Sequence, residues 1–184
     1  MDGPIAFAHN QLARRIESGD TVVDATAGNG HDTLFLARKA ARVFAFDIQR
    51  EALEAAQGRI EAAGLANVTF IRDSHVNIPL YVAEPIKAAV FNLGYLPGST
   101  STVTTKAETS VEALRNVLEI LVVRGVLSVT LYPGHEEGER EAQAVEKLLA
   151  ELDGSRFNVF KYLPLNKKKA PYTMLVEKKG AKDA

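Results

Sequence analysis

The chain is predicted to adopt an α/β fold: a seven-stranded, mostly parallel sheet with one antiparallel strand and helices on both faces. Three observations predict it. Short β-branched and aromatic runs alternate with segments of helical spacing, the pattern of successive β-α units. The first run opens into a Gly-x-Gly turn at Gly28 and Gly30, just ahead of a helical segment. The last two runs are joined only by residues 164–171, too short for a crossover helix, so they pair antiparallel and one strand is reversed.

Taken in order, residues 5–18 form a loosely amphipathic helix over the edge of the ligand site. Residues 21–25 (TVVDA), 42–48 (RVFAFDI), 67–72 (NVTFIR), 87–93 (KAAVFNL) and 125–131 (GVLSVTL) are the first five strands, rich in β-branched and aromatic side chains. Residues 32–40 and 49–63 carry helical spacing between them, and Gly64 suits the left-handed position that often closes a helix. Residues 105–122 and 136–152 are two further helices; the second follows Pro133-Gly134 and opens with several Glu residues, as the helix dipole favours. Residues 157–163 and 172–177 make the closing hairpin, and 178–184 is a frayed tail.

At 184 residues and 20.0 kDa the length suits one domain over 1–184. Twenty-two basic against 23 acidic residues leave a net charge of -1, which excludes a uniformly basic nucleic-acid coat but not a local patch. With no cysteine, disulfides, thiolate zinc sites and cysteine nucleophiles are excluded, and no metal site is expected. No apolar run approaches the ~20 residues of a membrane span, and the N-terminus lacks a signal-peptide core. A cytoplasmic protein with no membrane partner is expected.

Functional residues gather where open α/β sheets bind ligands, at the carboxyl ends of the strands. Gly28 and Gly30 let the backbone approach a ligand, and the helix after them presents free N–H groups. Thr33 stands where a dinucleotide fingerprint has Gly or Ala, and no Gly-Lys-Ser/Thr is present, which weighs against nicotinamide and excludes a P-loop. Asp24 ends the first strand and suits a cationic ligand better than a pyrophosphate. Asp47 ends the second, where an acid accepts two hydrogen bonds from a ribose diol. Asp73 ends the third, so three acids face one crevice.

The D-x-x-x-G-x-G string from Asp24 to Gly30, with Asp47 and Asp73, resembles the class I S-adenosylmethionine-dependent methyltransferases. The resemblance implies a Rossmann-like methyltransferase fold with S-adenosylmethionine (SAM) as cofactor. It places Asp24, Gly28 and Gly30 around the methionine part, Asp47 on the ribose and Asp73 at the adenine amino group. Asn29 and His31 then lie toward the cofactor carboxylate or sulfonium, Gln49 toward the ribose or adenine, and Ser74 and His75 at the border of the adenine pocket. The strings DATAGNGHDTLFLA, NLGYLPGS, TTKAET and YPGHEEG together resemble, from about residue 7 to 177, a small bacterial family described as rRNA methylases. The characterised activity of that family, under the name MnmM, is methylation of 5-aminomethyl-2-thiouridine at the tRNA wobble position. One departure is Ser99-Thr100-Ser101, where the family pattern has Gly-Asp-Lys or similar.

Asn92-Leu93-Gly94-Tyr95 looks like the N-P-P-Y motif of amino-methylating enzymes. A nitrogen nucleophile must aim its lone pair at the methyl group, in line with the departing sulfur. The Asn92 side-chain carbonyl and the Leu93 backbone carbonyl can each accept a hydrogen bond from the amine and so fix that direction. Tyr95 can stack on a base, worth ~1–3 kcal/mol. An aminomethyl group resembling a lysine amine, with a pKa of about 10.4, is mostly protonated at neutral pH. The site must therefore take its neutral form or accept a proton; His31, Asp32, His75 and His135 are candidates, or alignment alone suffices.

Lys161, Lys167, Lys168 and Lys169, with Tyr162 and Tyr172, cluster at the closing hairpin, and phosphates and unpaired bases favour such a surface. Arg14, Arg15, Arg38, Lys39 and Arg42 form a second basic set. The substrate side is thus Tyr95, His135, Lys167, Lys168 and Tyr172, and the expected partner is tRNA at its anticodon stem-loop, with a homodimer widening the footprint. The other readings are an rRNA or small-molecule amine methyltransferase, and a non-catalytic SAM-binding RNA module.

Overall fold

The computed structural model describes residues 2–94 and 105–180. Its sheet comprises β1 (Thr21–Asp24), β2 (Arg42–Phe46), β3 (Val68–Ile71), β4 (Ile86–Leu93), β5 (Leu121–Leu131), β6 (Phe157–Tyr162) and β7 (Tyr172–Lys178). Their spatial order is β3-β2-β1-β4-β5-β7-β6. All neighbours are parallel except that β7 lies antiparallel to both β5 and β6. The helices are α1 (Pro4–Ala13), α2 (His31–Ala37), α3 (Arg50–Ala62), α4 (Ile78–Tyr81), α5 (Ala107–Ile120) and α6 (Glu136–Ala150).

Because both faces of the sheet are covered, the central strands are nearly continuous apolar runs. Val23, Phe44, Ala89, Phe91, Leu127 and Val129 point into a layer closed by Leu114 and Val117 of α5 and Val145 and Leu149 of α6. Val22, Val43, Ala88, Val90 and Val126 point the other way, against Leu12 of α1 and Leu36 of α2. Each fully buried Leu or Val side chain contributes about 1.5–3 kcal/mol of transfer free energy. Leu53 and Ala56 of α3 close a smaller cluster over Ala27 and Ala45. Gly64 follows α3 with φ +68, as its left-handed cap requires.

Three local features differ from the sequence pattern. The strand expected at 125–131 begins at Leu121, directly after α5. Arg124 there has φ 60, and the register against β4 shifts between Ile86 and Ala88, so a bulge absorbs the extra residues. The first helix stops at Ala13, short of residue 18. A 3-10 turn at His75–Asn77 and α4 follow β3, where Ser74 caps the turn by accepting from the Val76 N–H. Among the described residues, no helix is long and apolar enough to cross a membrane.

Order reverses between β1 and β4, which leave their helices on opposite sides and open a crevice at their carboxyl ends. Asp24, Asp47, Asp73 and Asn92 all stand at that end.

Candidate active site

The floor of the crevice is the turn after β1. Ala25 N–H donates to Val90 O and Ala27 N–H to Phe46 O, so the turn is tied to the strands on either side of β1. Gly28 and Gly30 have φ of 51° and 76°. A Cβ on Gly30 would lie 2.6 Å from the Ala56 Cα, so glycine is demanded there by both conformation and space. Asn29 and His31 are exposed, and Arg59 of α3 holds both: its Nε donates to Asn29 O at 2.8 Å and its guanidinium lies 3.3 Å from His31 Nε2.

Asp24 lies beneath this turn and does not face the crevice. It is 0% exposed; one oxygen accepts from Thr26 N–H at 3.2 Å and the other from the Thr33 hydroxyl at 2.6 Å. Burial, reinforced by the nearby Asp32 carboxylate, pushes its pKa up to about 7. The expectation of an accessible anion for a cationic ligand is thereby corrected: Asp24 acts on the turn from below. It also explains Thr33, which occupies the fingerprint position as the hydroxyl partner of this carboxyl.

Asp47 and Asp73 do reach the crevice. Asp47 accepts from Gly28 N–H and Gln49 N–H, both at 2.9 Å, one on each oxygen, which leaves a lone pair on each for a diol. Asp73 accepts from Ser74 N–H, the Asn77 amide and the Tyr81 hydroxyl at 2.7–2.8 Å, and these donors hold its pKa below the usual carboxylate range. Ile48, 50% exposed, offers an apolar side chain between Asp47 and Gln49. Two oriented carboxylates flanking an exposed aliphatic group fit a ligand with a ribose diol, a flat base and an exocyclic amine. Sequence reasoning missed Ile48, Arg59 and Tyr81, since each acts through tertiary contact. His75, expected at this border, is instead buried edge-on to Phe91. Burial lowers its pKa to about 4, so at neutral pH the ring stays neutral and is a weak base.

Opposite the carboxylates, Asn92 sits at the switch point. Its N–H donates to the Thr26 hydroxyl at 2.8 Å, bridging the ends of β4 and β1. Its side-chain amide donates to Asp32 of α2, whose other oxygen is met by His9 Nε2 of α1 at 2.5 Å. His9 is stacked on Phe35, 4.0 Å between centroids. The Leu93 carbonyl accepts from Tyr132 N–H at 3.3 Å and keeps a second lone pair, so it and the Asn92 oxygen both remain able to accept from an amine. Gly94 N–H donates to the Thr105 hydroxyl, which donates in turn to buried Glu141. Tyr95 and Ser99-Thr100-Ser101 lie outside the described residues. His135 caps α6, its Nδ1 accepting from Gly138 N–H at 3.0 Å, so that nitrogen is unavailable as a base.

The basic surfaces resolve unequally. Tyr172 pairs with Leu131 at the carboxyl end of β5, so the 163–171 turn projects on the crevice side. Lys167 and Lys168 are exposed there. Lys161 and Lys169 are instead ion-paired to Glu146 and Glu139 of α6. Tyr172 is buried under Lys161, 4.5 Å from its ring, and therefore does not offer a face to bases. Tyr162 is stacked on Phe7. Arg42 begins β2 and Arg38 follows α2, so that second basic set lies at the opposite end of the sheet from the crevice.

Residues 43–178 match the family model described as "Putative rRNA methylase". A chloroplastic tRNA (mnm(5)s(2)U34)-methyltransferase of Arabidopsis thaliana is 32% identical, the match covering 94% of this chain and 68% of the relative. A structure from Streptococcus mutans, described as a "putative methyltransferase" in complex with SAH, is 39% identical with a TM-score of 0.92, covering 97% of this chain and 99% of that one. An rRNA methylase from Streptococcus thermophilus is 36% identical with a TM-score of 0.86, covering 98% and 99%.

Proposed function

The chain belongs to the rRNA methylase family, and on that premise we propose that this SAM-dependent RNA methyltransferase acts on tRNA, methylating the aminomethyl nitrogen of 5-aminomethyl-2-thiouridine at the wobble position. The observation that carries the reading is Asn92: a carboxamide at the end of β4, opposite the Asp47 and Asp73 carboxylates and anchored to the glycine turn through Thr26. The Arabidopsis relative's activity supports the choice of acceptor.

SAM, when bound, supplies an electrophilic methyl group on a sulfonium. Asp47 would accept from the ribose diol and Asp73 from the adenine amine, while the glycine turn would let the backbone approach the methionine end. Asn92 accepts an N–H of the incoming amine through its side-chain oxygen and aims the nitrogen lone pair at the methyl group. Methyl transfer from bound SAM to the neutral amine would break the S–CH3 bond and form an N–CH3 bond, moving the positive charge from sulfur to nitrogen, after which the amine would release a proton to solvent. With His75 buried and both Asp32 oxygens engaged, alignment is the main source of rate, and well-oriented reactions gain about 7–11 kcal/mol from it. Lys167 and Lys168 meet phosphates of the anticodon stem-loop in the cytoplasm.

The test is nucleoside mass spectrometry of tRNA from a strain lacking this gene, before and after treatment with protein and SAM. Conversion of the aminomethyl to the methylaminomethyl nucleoside, lost in Asn92→Ala and Asp47→Ala, is expected. Absence of conversion by a protein that binds SAM would redirect the search to rRNA or to small amines.

A further inference from the structure

The carboxamide at the head of the site is not left to choose its own orientation. Asn92 has two nearly isosteric ends, and only one can guide an amine: the oxygen must face the nucleophile, because the NH2 end would compete for the same lone pair. Asp32 resolves this choice. Its oxygen within hydrogen-bond reach of Asn92 can only accept when ionised, so it selects the NH2 end and turns Oδ1 the other way. Among the described residues, no donor meets that Oδ1.

Asp32 is itself held. Its side chain is 9% exposed, and its second oxygen is 2.5 Å from His9 Nε2. His9 comes from α1, 23 residues earlier, and its ring lies flat on Phe35 with an interplanar angle of 2°. The imidazole can therefore neither swing away nor be replaced by water without losing that stack. Three elements, α1, α2 and β4, thus converge on one amide. Neither His9 nor Asp32 needs to touch the substrate.

We infer that His9 and Asp32 are positioning residues that lock the Asn92 carboxamide with its oxygen toward the acceptor nitrogen. The inference rests on the amine-methylation reading for its consequence, but the orientation itself can be measured without any acceptor. It also gives α1 a role beyond covering the sheet, since the site is incomplete without a residue from it.

The experiment uses the full chain in two measurements. In steady-state kinetics on aminomethyl tRNA, Asp32→Asn and His9→Phe are expected to lose about 10²-fold in kcat, the scale of a 1 Å misplacement, with SAM affinity by calorimetry unchanged. His9→Phe keeps the stack on Phe35 and loses only the donor; His9→Gln restores a donor and should recover most of the rate. In NMR of the unliganded protein, the Asn92 side-chain amide, assigned by its loss in Asn92→Ala, should show one strongly downfield proton that moves upfield in Asp32→Asn. Wild-type kcat in His9→Phe, or a loss confined to SAM affinity, overturns the inference. So does an Asn92 amide that is indifferent to Asp32→Asn. If wild-type protein leaves aminomethyl tRNA unmethylated, the acceptor reading fails while the amide spectrum still decides the orientation. Should Asp32→Asn not fold, His9→Phe on the partly exposed helix carries both measurements.

Discussion

Asp24→Asn isolates the cost of keeping an acid under the glycine turn. In the folded chain this carboxyl loses its proton near pH 7, against 3.8 for the free group. Between those values unfolding releases a proton, so wild-type stability falls as pH rises. Each pH unit of that window is worth about 1.4 kcal/mol, so the full cost above pH 7 is on the order of 4 kcal/mol. Asparagine fits the same two partners with one bond reversed: its oxygen accepts from Thr26 N–H, and its NH2 donates to the Thr33 hydroxyl, which in the wild type donates to the carboxylate. The variant should match wild type near pH 4 and exceed it progressively toward pH 8. Urea denaturation of cofactor-free protein, followed by far-UV circular dichroism across that range, measures the difference, and titrations common to both proteins cancel. Asp32→Asn should shrink the gap without closing it, since burial is the larger cause and the Asp32 charge the second. A difference that stays flat with pH, or that favours wild type at pH 8, refutes the reasoning.

His75 predicts an acid limb. Its folded pKa of about 4 lies below the ordinary 6.5, so the unfolded chain takes up a proton first and stability falls by about 3 kcal/mol as pH drops through that window; His75→Leu should flatten this limb in the same urea titrations. Gly30→Ala and Gly64→Ala form a matched pair in denaturation, since both have positive φ but only Gly30 abuts a neighbouring helix. Gly64→Ala should cost about 1–2 kcal/mol, and Gly30→Ala clearly more, with loss of SAM binding by calorimetry. Replacing both Lys167 and Lys168 by Ala should weaken tRNA binding and reduce the slope of log affinity against log salt by about 1–2, with SAM affinity unchanged; an unaltered slope in filter binding would place the RNA elsewhere.

The parts of the fold legible in the sequence were those that repeat a local rule. Buried parallel strands read as apolar runs such as KAAVFNL, and the short 164–171 link required an antiparallel pair. Acids at strand ends were visible because the topology of α/β sheets places them by rule. What the sequence could not show is which acids face outward. Asp24 and Asp47 look alike along the chain, yet one is sealed by Thr33 and the other opens to the crevice. His9 lay in a loosely amphipathic stretch because its ring serves Asp32 across 23 residues and not a helix face. The hairpin lysines read as one basic patch, whereas Glu139 and Glu146 on α6 neutralise two of them, a pairing decided only by docking.

The position of β7 has a consequence for how the molecule is made. It is the last of the described strands in sequence but lies between β5 and β6, and among the described residues β6 pairs with no other strand. During synthesis at ~5–20 residues per second, β5 therefore waits with an open edge until residues 172–178 emerge. That edge belongs to a strand carrying Leu127, Val129 and Leu131, a template for wrong pairing with another chain. The β6–β7 hairpin can form locally within microseconds and then add as a unit, so the nascent chain's exposure is set by translation and not by strand pairing. Premature termination before residue 172 would leave β6 unpaired and β5 open on the edge away from β4, and such fragments are the ones expected to aggregate.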